Sequence, residues 1–448
     1  MGEGKNDFTD NITPKKWKKY FEKLLNGSND PLSHLHTSHS DEVSSFDPML
    51  DGVITKQELH ESMKDLKSGK TAGPDGIYGE CLKIFGEKFE ETLLLLLRRI
   101  FANHLYPAQW TTNYLKPIYK KGGVADPDNF RGLAIGPAIA KLFSHIMLKR
   151  LNLFIKNKGL LSVNQIGFAK GSCTSDHIFL LQTLIDKVVK KNKKHLYAAF
   201  IDYKKAYDKV NRKLLIEKLK QIGINGICLR NIESMYKQTS YSIKLKNGHL
   251  DPISSNLGLK QGCPLSPKLF NLYIDDIEDI FDELCEPVSL ADIKINHFLY
   301  ADDLVLLSNT KTGLQRCLDL THKFSSEKLL TISIGKSKTM IFNVPGRIIK
   351  HNFTVGGNAL ESVGSFCYLG FEVKASGIVS HAVKTLYDKA NKAMRPLFHA
   401  ISRFKIPVKT ALHLFHTFIA PIALYNVENF IALSEKKLET YRRVGNIC

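Results

Sequence analysis

Phe298-Leu-Tyr-Ala-Asp-Asp-Leu-Val-Leu-Leu-Ser308 sets two acidic residues between two apolar runs. Strands tolerate Asp poorly, and adjacent carboxylates repel each other. The stretch therefore predicts a β-hairpin, with Ile295–Tyr300 and Leu304–Leu307 as strands and Ala301, Asp302 and Asp303 at a tight turn. Such a turn holds its carboxylates at the rim of a sheet, where a divalent cation can cancel their repulsion. A bare Asp-Asp pair is more often a solvated turn, so the rest of the chain has to decide its meaning.

A second acidic residue sits in the same context. Asp202 follows the apolar segment Leu196–Ile201, which reads as a short strand, and opens Asp202-Tyr-Lys-Lys-Ala-Tyr-Asp208. If the two strands are neighbours, Asp202, Asp302 and Asp303 meet at one rim despite 100 residues of separation (302 minus 202). Carboxylates without His or Cys favour Mg²⁺ or Mn²⁺ over Zn²⁺. Two such ions ~3.5–4 Å apart are a common device for in-line nucleotidyl transfer. Between the two acidic segments lies Gly258-Leu-Lys-Gln-Gly-Cys-Pro-Leu-Ser-Pro267. Its glycines let backbone approach a ligand closely, and the helix behind it offers amides to an anion.

Working outward, Arg212–Ile222 and Ile227–Tyr236 read as helices, and Tyr241–Leu245 alternates as a strand before a turn at Asn247-Gly248. Ser266 as N-cap and Pro267 in the first turn predict a helix running to about Leu284. After the hairpin, Leu314, Cys317, Leu318 and Phe324 share a helix face, and two more strands flank Gly335-Lys336. This order predicts an antiparallel sheet backed by helices, an α+β arrangement. Upstream, helical periodicity dominates from Thr55 to about residue 195, broken by loops at Gly69–Tyr78 and Lys120–Arg131. Residues 1–54 are polar apart from the amphipathic Trp17–Leu25, and Ser28–Ser45 reads as a linker. Beyond about 375 the chain becomes helical and basic, and no internal repeat is visible.

The 448 residues suffice for two or three domains, and 43% hydrophobic with 24% charged residues is an ordinary globular composition. A formal net charge of +19 suits a polyanion, nucleic acid being the commonest. None of the eight cysteines falls in a Cys-x-x-Cys pair, so no zinc knuckle or disulfide framework is indicated, which fits a reducing compartment. The N-terminus has no apolar signal region, and the longest apolar run, Leu93–Leu97, is too short for a bilayer. These features predict a soluble intracellular protein without a membrane partner.

Phe200-Ile-Asp-Tyr-Lys-Lys-Ala-Tyr-Asp, Leu259-Lys-Gln-Gly-Cys-Pro-Leu-Ser-Pro and Phe298-Leu-Tyr-Ala-Asp-Asp, in this order, resemble the reverse transcriptases of non-LTR (LINE-type) retrotransposons. Ala72-Gly-Pro-Asp-Gly-Ile, Tyr114-Leu-Lys-Pro-Ile-Tyr-Lys-Lys-Gly, Asn129-Phe-Arg-Gly and Gln165-Ile-Gly-Phe-Ala-Lys-Gly resemble that family's finger motifs. Ile332-Ser-Ile-Gly-Lys-Ser-Lys and Tyr368-Leu-Gly resemble its last palm motifs, so the likeness covers roughly residues 55–375.

The resemblance implies a right-hand polymerase with helical fingers, a ferredoxin-like antiparallel palm sheet and a short helical thumb. An N-terminal extension at 1–54 would precede fingers at 55–195, palm at 196–375 and thumb at 376–448. The implied activity is that of an RNA-directed DNA polymerase, a nucleotidyltransferase adding deoxynucleotides to a primer 3′ end in retrotransposition. By resemblance, Asp202, Asp302 and Asp303 would hold two Mg²⁺ ions (or Mn²⁺), and Lys336 would assist pyrophosphate departure. Lys116 and Arg131 would face the triphosphate, Tyr207 would exclude a 2′-hydroxyl, and Gln261 and Gly262 would lie beneath nucleotide and template base. Tyr300, Tyr368, Leu369 and Gly370 would contact primer and template. The implied partners are an RNA template, a DNA primer or target DNA, and dNTPs, in the nucleus. Endonuclease function is expected from elsewhere in a longer polyprotein or in trans.

Plainer readings stand beside several of these. Tyr207 could be a core tyrosine, Lys116 surface charge, Lys338 the residue meant instead of Lys336, and Tyr368-Leu369-Gly370 a structural β-turn. Trp17 and Phe21, at helical spacing, more naturally pack the N-terminal helix than stack bases, and Lys190–Lys194 reads as a solvated face. Gly132 stands where the family usually has proline, which would loosen that loop, and Ala169 where it usually has arginine, with Lys170 beside it. An RNA-directed RNA polymerase is disfavoured by the aromatic at 207. A catalytically silent nucleic-acid-binding relic of a mobile element is disfavoured by the intact Asp202, Asp302 and Asp303.

Overall fold

The computed structural model describes residues 8–26, 46–169, 171–344, 347–377 and 380–427. The expected linker at 28–45, Lys170 and the chain beyond 427 lie outside these residues. Two compact units interleave along the sequence, one made of Met1–Val163, Lys204–Ile277 and Ser325–Thr331, the other of Asn164–Tyr203, Glu278–Phe324 and Ile332–Cys448.

In the first unit, the helix Pro14–Asn26 buries Trp17, Phe21 and Leu25, spaced four apart on one face. Trp17 stacks on Phe21 at 5.7 Å, meets Phe130 edge-on at 5.0 Å and donates its indole N–H to the Thr9 carbonyl at 3.1 Å. These aromatics pack the helix down, as their spacing predicts, each contributing about 2–3 kcal/mol through burial. Their partners include Leu115, Phe130, Tyr241 and Ile243.

Leu115 and Phe130 come from strands that the expectation of helix from Thr55 to about 195 overlooks, whereas Tyr241 and Ile243 come from the strand expected at Tyr241–Leu245. Thr112–Tyr119 and Phe130–Ile135 form an antiparallel pair closed by Tyr119 opposite Phe130, and Ser240–Leu245 runs parallel to the first. Asn113, Leu115 and Pro117 alternate inward with half-exposed neighbours, a period of two that Lys116 and Pro117 disguise in the sequence. Gly132 lies within this ladder opposite Pro117. A Cβ there would meet Leu115 at 2.9 Å and Phe21 at 3.1 Å, so glycine lets the layers close up rather than loosening a loop.

The helix expected from Ser266 to about Leu284 ends at Ile274, followed by a 3-10 turn at Asp275–Ile277. Asp275 accepts the Ser162 N–H, and Asp276 is held by Lys218 and by Lys328, the latter at 2.7 Å. These contacts draw the acidic pair off the helical path. Ser266 is the first helical residue rather than the cap, which is Leu265 and makes no side-chain capping bond.

The second unit is built on a five-stranded sheet in the order Glu361–Ser362, Lys338–Phe342, Leu196–Ile201, Asp303–Ser308, His297–Tyr300. All neighbours are antiparallel except the short outer pair formed by Glu361–Ser362. Leu196–Ile201 is central and almost wholly buried, which explains its unbroken apolar run. One face carries Ile178, Leu181 and Ile185 from the helix Thr174–Ile185 and Ala382, Val383 and Leu386 from the helix Ser380–Phe404. The antiparallel sheet backed by helices is the α+β arrangement that the element order predicts. Ile295 belongs to a small neighbouring hairpin, Val288–Leu290 with Ile293–Ile295, instead of to the acidic hairpin.

Candidate active site

The acidic hairpin closes as tightly as a hairpin can. Tyr300 pairs with Asp303, leaving Ala301 and Asp302 as the whole turn. On its other side the strand Asp303–Ser308 pairs with Leu196–Ile201, and the last partners are Leu304 and Ile201. Asp303 and Asp202 are therefore the next residues on adjacent strands, at one end of the sheet, with Asp302 in the turn above. Among the described residues, however, no three His, Cys, Asp or Glu side chains close into a ready-made metal cage. The three carboxylates share a rim without converging on one point.

Asp202 is fixed through its backbone: its N–H donates to the Ser337 hydroxyl at 3.1 Å and its carbonyl accepts from Ser333 N–H at 2.7 Å. Its Oδ2 is buried without a hydrogen-bond partner among the described residues, and the Lys336 ammonium stands 3.6 Å away as its counter-charge. Lys338 turns elsewhere, to Glu361 at 2.7 Å and the Gly335 carbonyl at 2.6 Å. A hard carboxylate oxygen that takes no hydrogen bond, at a sheet end shared with Asp302 and Asp303, fits a divalent Mg²⁺-type ion in kind.

The hairpin is braced from behind by the Gln165-Ile-Gly segment of a motif that the resemblance assigns to the fingers. Gln165, 3% exposed, accepts the Ala301 N–H at 3.0 Å and the Gly167 N–H at 2.9 Å on its Oε1. Tyr300 is half-buried, its ring 6.5 Å from that of His177. Tyr368 departs from the expected primer contact. It is 3% exposed, lies against Phe200 at 5.7 Å and shares a 3.3 Å hydrogen bond between its hydroxyl and His177 Nδ1. Its side chain is core. Leu369 (φ 46°) and Gly370 (φ 84°) form the two-residue turn after it, held by the Tyr425 hydroxyl donating to the Leu369 carbonyl at 2.6 Å. Leu369 is half-buried against the same core, and Gly370 is exposed.

The residues expected around the nucleotide fall in the first unit, Tyr207, Gln261 and Gly262 about one loop. The Gln261 carbonyl accepts the Ala134 N–H at 2.7 Å, and its side-chain amide donates to Asp208 at 2.7 Å. Gly262 sits at φ 124°, where a Cβ would strike the Ala134 carbonyl at 2.5 Å. Lys260 is buried between the rings of Tyr106 and Tyr236, with its ammonium on the Met235 carbonyl at 3.0 Å. Arg212 gathers the carbonyls of Tyr236, Ser255, Leu257 and Gly258, fixing the approach to the loop. A pocket of about 570 Å³ opens beside it, lined by Gly73 of the Ala72-Gly-Pro-Asp-Gly motif, Lys70, Lys141, Gly262 and Pro264.

Tyr207 stacks on Phe270 with centroids 4.4 Å apart and planes 15° off parallel, and remains half-exposed. It is thus neither fully core nor free of it. Arg131 is exposed on its strand and Lys116 half-buried on the neighbouring one. Asp208, the last residue of the Asp202–Asp208 segment, is a functional candidate that the resemblance does not assign. Burial pushes its carboxyl up to about 6, against the opposing pull of Lys205, Gln261, Arg131 and Lys120. The available signal was an acid closing a short apolar stretch among lysines.

Residues 118–373 match the family described as Reverse transcriptase (RNA-dependent DNA polymerase). The chain is 26% identical over 349 residues to a Pol polyprotein of the type-1 retrotransposable element R2 of Nasonia vitripennis, covering 75% of this chain and 33% of that protein. It is 23% identical over 396 residues to a probable RNA-directed DNA polymerase from transposon BS of Drosophila melanogaster, covering 84% of this chain and 42% of that one. Among solved structures, apo telomerase of Candida tropicalis aligns with a TM-score of 0.45 at 14% identity, covering 80% of this chain and 64% of that one. The chain spans about a third to two-fifths of the length of these two curated relatives. Because the family match covers more than half of its residues, the chain belongs to the reverse transcriptase (RNA-dependent DNA polymerase) family.

Proposed function

We propose that this chain copies RNA into DNA within a non-LTR retrotransposon protein, adding deoxynucleotides to a primer 3′ end. The observation that carries the proposal is the placement of Asp202 and Asp303 at one end of adjacent antiparallel strands with Asp302 in the connecting turn. Asp202, Asp302 and Asp303 would hold two divalent ions, Mg²⁺ or Mn²⁺. Bound there, the ions supply activation of the primer hydroxyl and stabilisation of the leaving pyrophosphate. Lys336, now beside Asp202, is the cation suited to assist the leaving group.

Lys116 and Arg131 would meet the triphosphate, Gln261 and Gly262 would underlie the nucleotide, and Tyr207 would act as the 2′-hydroxyl filter. Tyr300 and the Leu369-Gly370 turn would touch primer and template. Residues 55–195, 196–375 and 376–448 would serve as fingers, palm and thumb. RNA template, DNA primer or target DNA and dNTPs are the partners proposed, with DNA nicking supplied elsewhere in a longer polyprotein or in trans. No helix among the described residues is long and apolar enough to cross a membrane. Action in the nucleus follows from the retrotransposon reading.

Primer extension on a defined RNA template with Mg²⁺ and dNTPs tests this, comparing the native chain with Asp302→Asn. Extension should be lost in the variant while salt-dependent RNA binding is kept. A native chain that binds RNA tightly and extends nothing would leave a binding relic as the better reading.

A further inference from the structure

We propose that Gln165 is a positioning residue for the acidic turn, holding Ala301 in a backbone conformation that the turn does not keep by itself. The inference rests on the polymerase reading above and adds a residue to it.

Ala301 adopts φ 54°, in the left-handed region where a Cβ crowds the backbone and glycine is the usual occupant. In two-residue hairpins the first turn position takes such angles, and there glycine dominates. Ala301 is also 6% exposed, so water does not satisfy its peptide groups. One side chain does. Gln165 Oε1 accepts the Ala301 N–H at 3.0 Å, and Gln165 Nε2 donates toward the Ala301 carbonyl at 3.4 Å. The same Oε1 takes the Gly167 N–H at 2.9 Å, which fixes the amide's own orientation.

The segment around Gln165 is anchored to the hairpin strand on both sides. Ile166 N–H donates to the Leu299 carbonyl at 3.2 Å, and Leu299 N–H donates to the Asn164 carbonyl at 3.1 Å. Gly167 completes the cradle: a Cβ there would collide with Ala301 N and stand 2.9 Å from Gln165 Oε1. Gln165-Ile166-Gly167 therefore meets the turn with both a bidentate amide and a missing side chain. Since Asp302 follows Ala301 directly, the brace sets the direction in which that carboxylate leaves the sheet.

The test uses Gln165→Leu, Gly167→Ala and the double variant Gln165→Leu/Ala301→Gly, read by hydrogen exchange over residues 298–304 and by primer extension. Gln165→Leu should speed exchange at the Ala301 amide on the order of tenfold or more. It should also lower kcat on the order of tenfold while leaving the dNTP KM within about threefold. Adding Ala301→Gly should restore much of kcat, because glycine holds the left-handed angle unaided. Gly167→Ala should speed the same exchange from the other side of the cradle.

Native exchange at Ala301 in either disruptive variant overturns the proposal. So does a loss expressed as a raised dNTP KM, or a loss that Ala301→Gly does not relieve. A native chain without extension activity removes the polymerase reading instead, and the exchange measurements then still decide whether the brace exists.

Discussion

Lowering the pH from 7 to 5 should weaken the sheet that carries the acidic turn, through two buried histidines. His177 and His297 are each 1% exposed. His177 stacks on Phe298 at 5.0 Å and shares the Tyr368 hydroxyl, while His297 lies against Phe281 at 5.1 Å with Nδ1 2.7 Å from Asn296 Oδ1. His297 Nε2 is buried with no hydrogen-bond partner among the described residues. Burial holds both imidazoles down at about 4; for His177, Asp176 and the Asn164 carbonyl oppose it, and for His297 the neighbouring His177 adds to it. A histidine depressed in this way is neutral in the fold and takes its proton only when the chain unfolds. Its contribution to stability is complete above about pH 6.5 and is lost as the pH falls toward 4. Between pH 7 and 5 that amounts to about 2 kcal/mol per residue, and since both stay neutral in the fold at pH 5 the two add to about 4 kcal/mol. Urea unfolding at pH 7, 6 and 5, with hydrogen exchange over residues 297–308 to report on this sheet, measures the loss. His297→Leu should abolish about half of the pH dependence. Equal losses of stability in the native chain and the variant between pH 7 and 5 would refute the reasoning.

The acidic hairpin was legible because its signal is local. Asp is a poor strand residue, so two of them between apolar runs demand a turn, and pairing of Tyr300 with Asp303 follows. The apolar run at 196–201 was legible as a strand because burial on both faces removes any need for alternation. The strands at 112–119 and 130–135 were not. Their alternation is interrupted by Lys116, Pro117 and Gly132, and the partner strand Ser240–Leu245 lies more than a hundred residues away. That Asp202 and Asp303 end adjacent strands, with Asp302 in the turn, was legible from strand context. What holds them was invisible, because the Gln165 contact with Ala301 spans 136 residues and the Gln261 contact with Asp208 spans 53. Tyr368 shows the same limit from the other side. The Tyr368-Leu-Gly turn is readable, but whether its tyrosine points to a primer or to Phe200 depends on which face of the sheet is covered.

Two further outcomes are expected at the Gln261-Gly262 loop, proposed to underlie the nucleotide, and at the Asp208 carboxyl that its glutamine contacts. Gly262→Ala would force a Cβ against the Ala134 carbonyl in a left-handed conformation, costing about 1–3 kcal/mol of strain. The displaced Gln261 should appear as a raised dNTP KM in single-nucleotide extension; a native KM with a native unfolding midpoint contradicts that role for the loop. Asp208→Asn should stabilise the fold at pH 8. A carboxyl raised from 3.8 to about 6 is more readily protonated in the fold than in the unfolded chain. Its stabilising proton is held below about pH 4 and lost as the pH rises through about 6, so ionisation at pH 8 costs up to about 3 kcal/mol. Some solvent still reaches Asp208, which makes that figure an upper bound. Asparagine keeps an oxygen for the Gln261 amide while removing the buried charge, so the gain in urea unfolding should be greatest at pH 8 and vanish near pH 4. A variant less stable than the native chain at pH 8 would mean that Lys205, Arg131 and Lys120 attract the charge more strongly than burial repels it. The carboxylate would then be an organising anion for these three cations and not a tolerated cost.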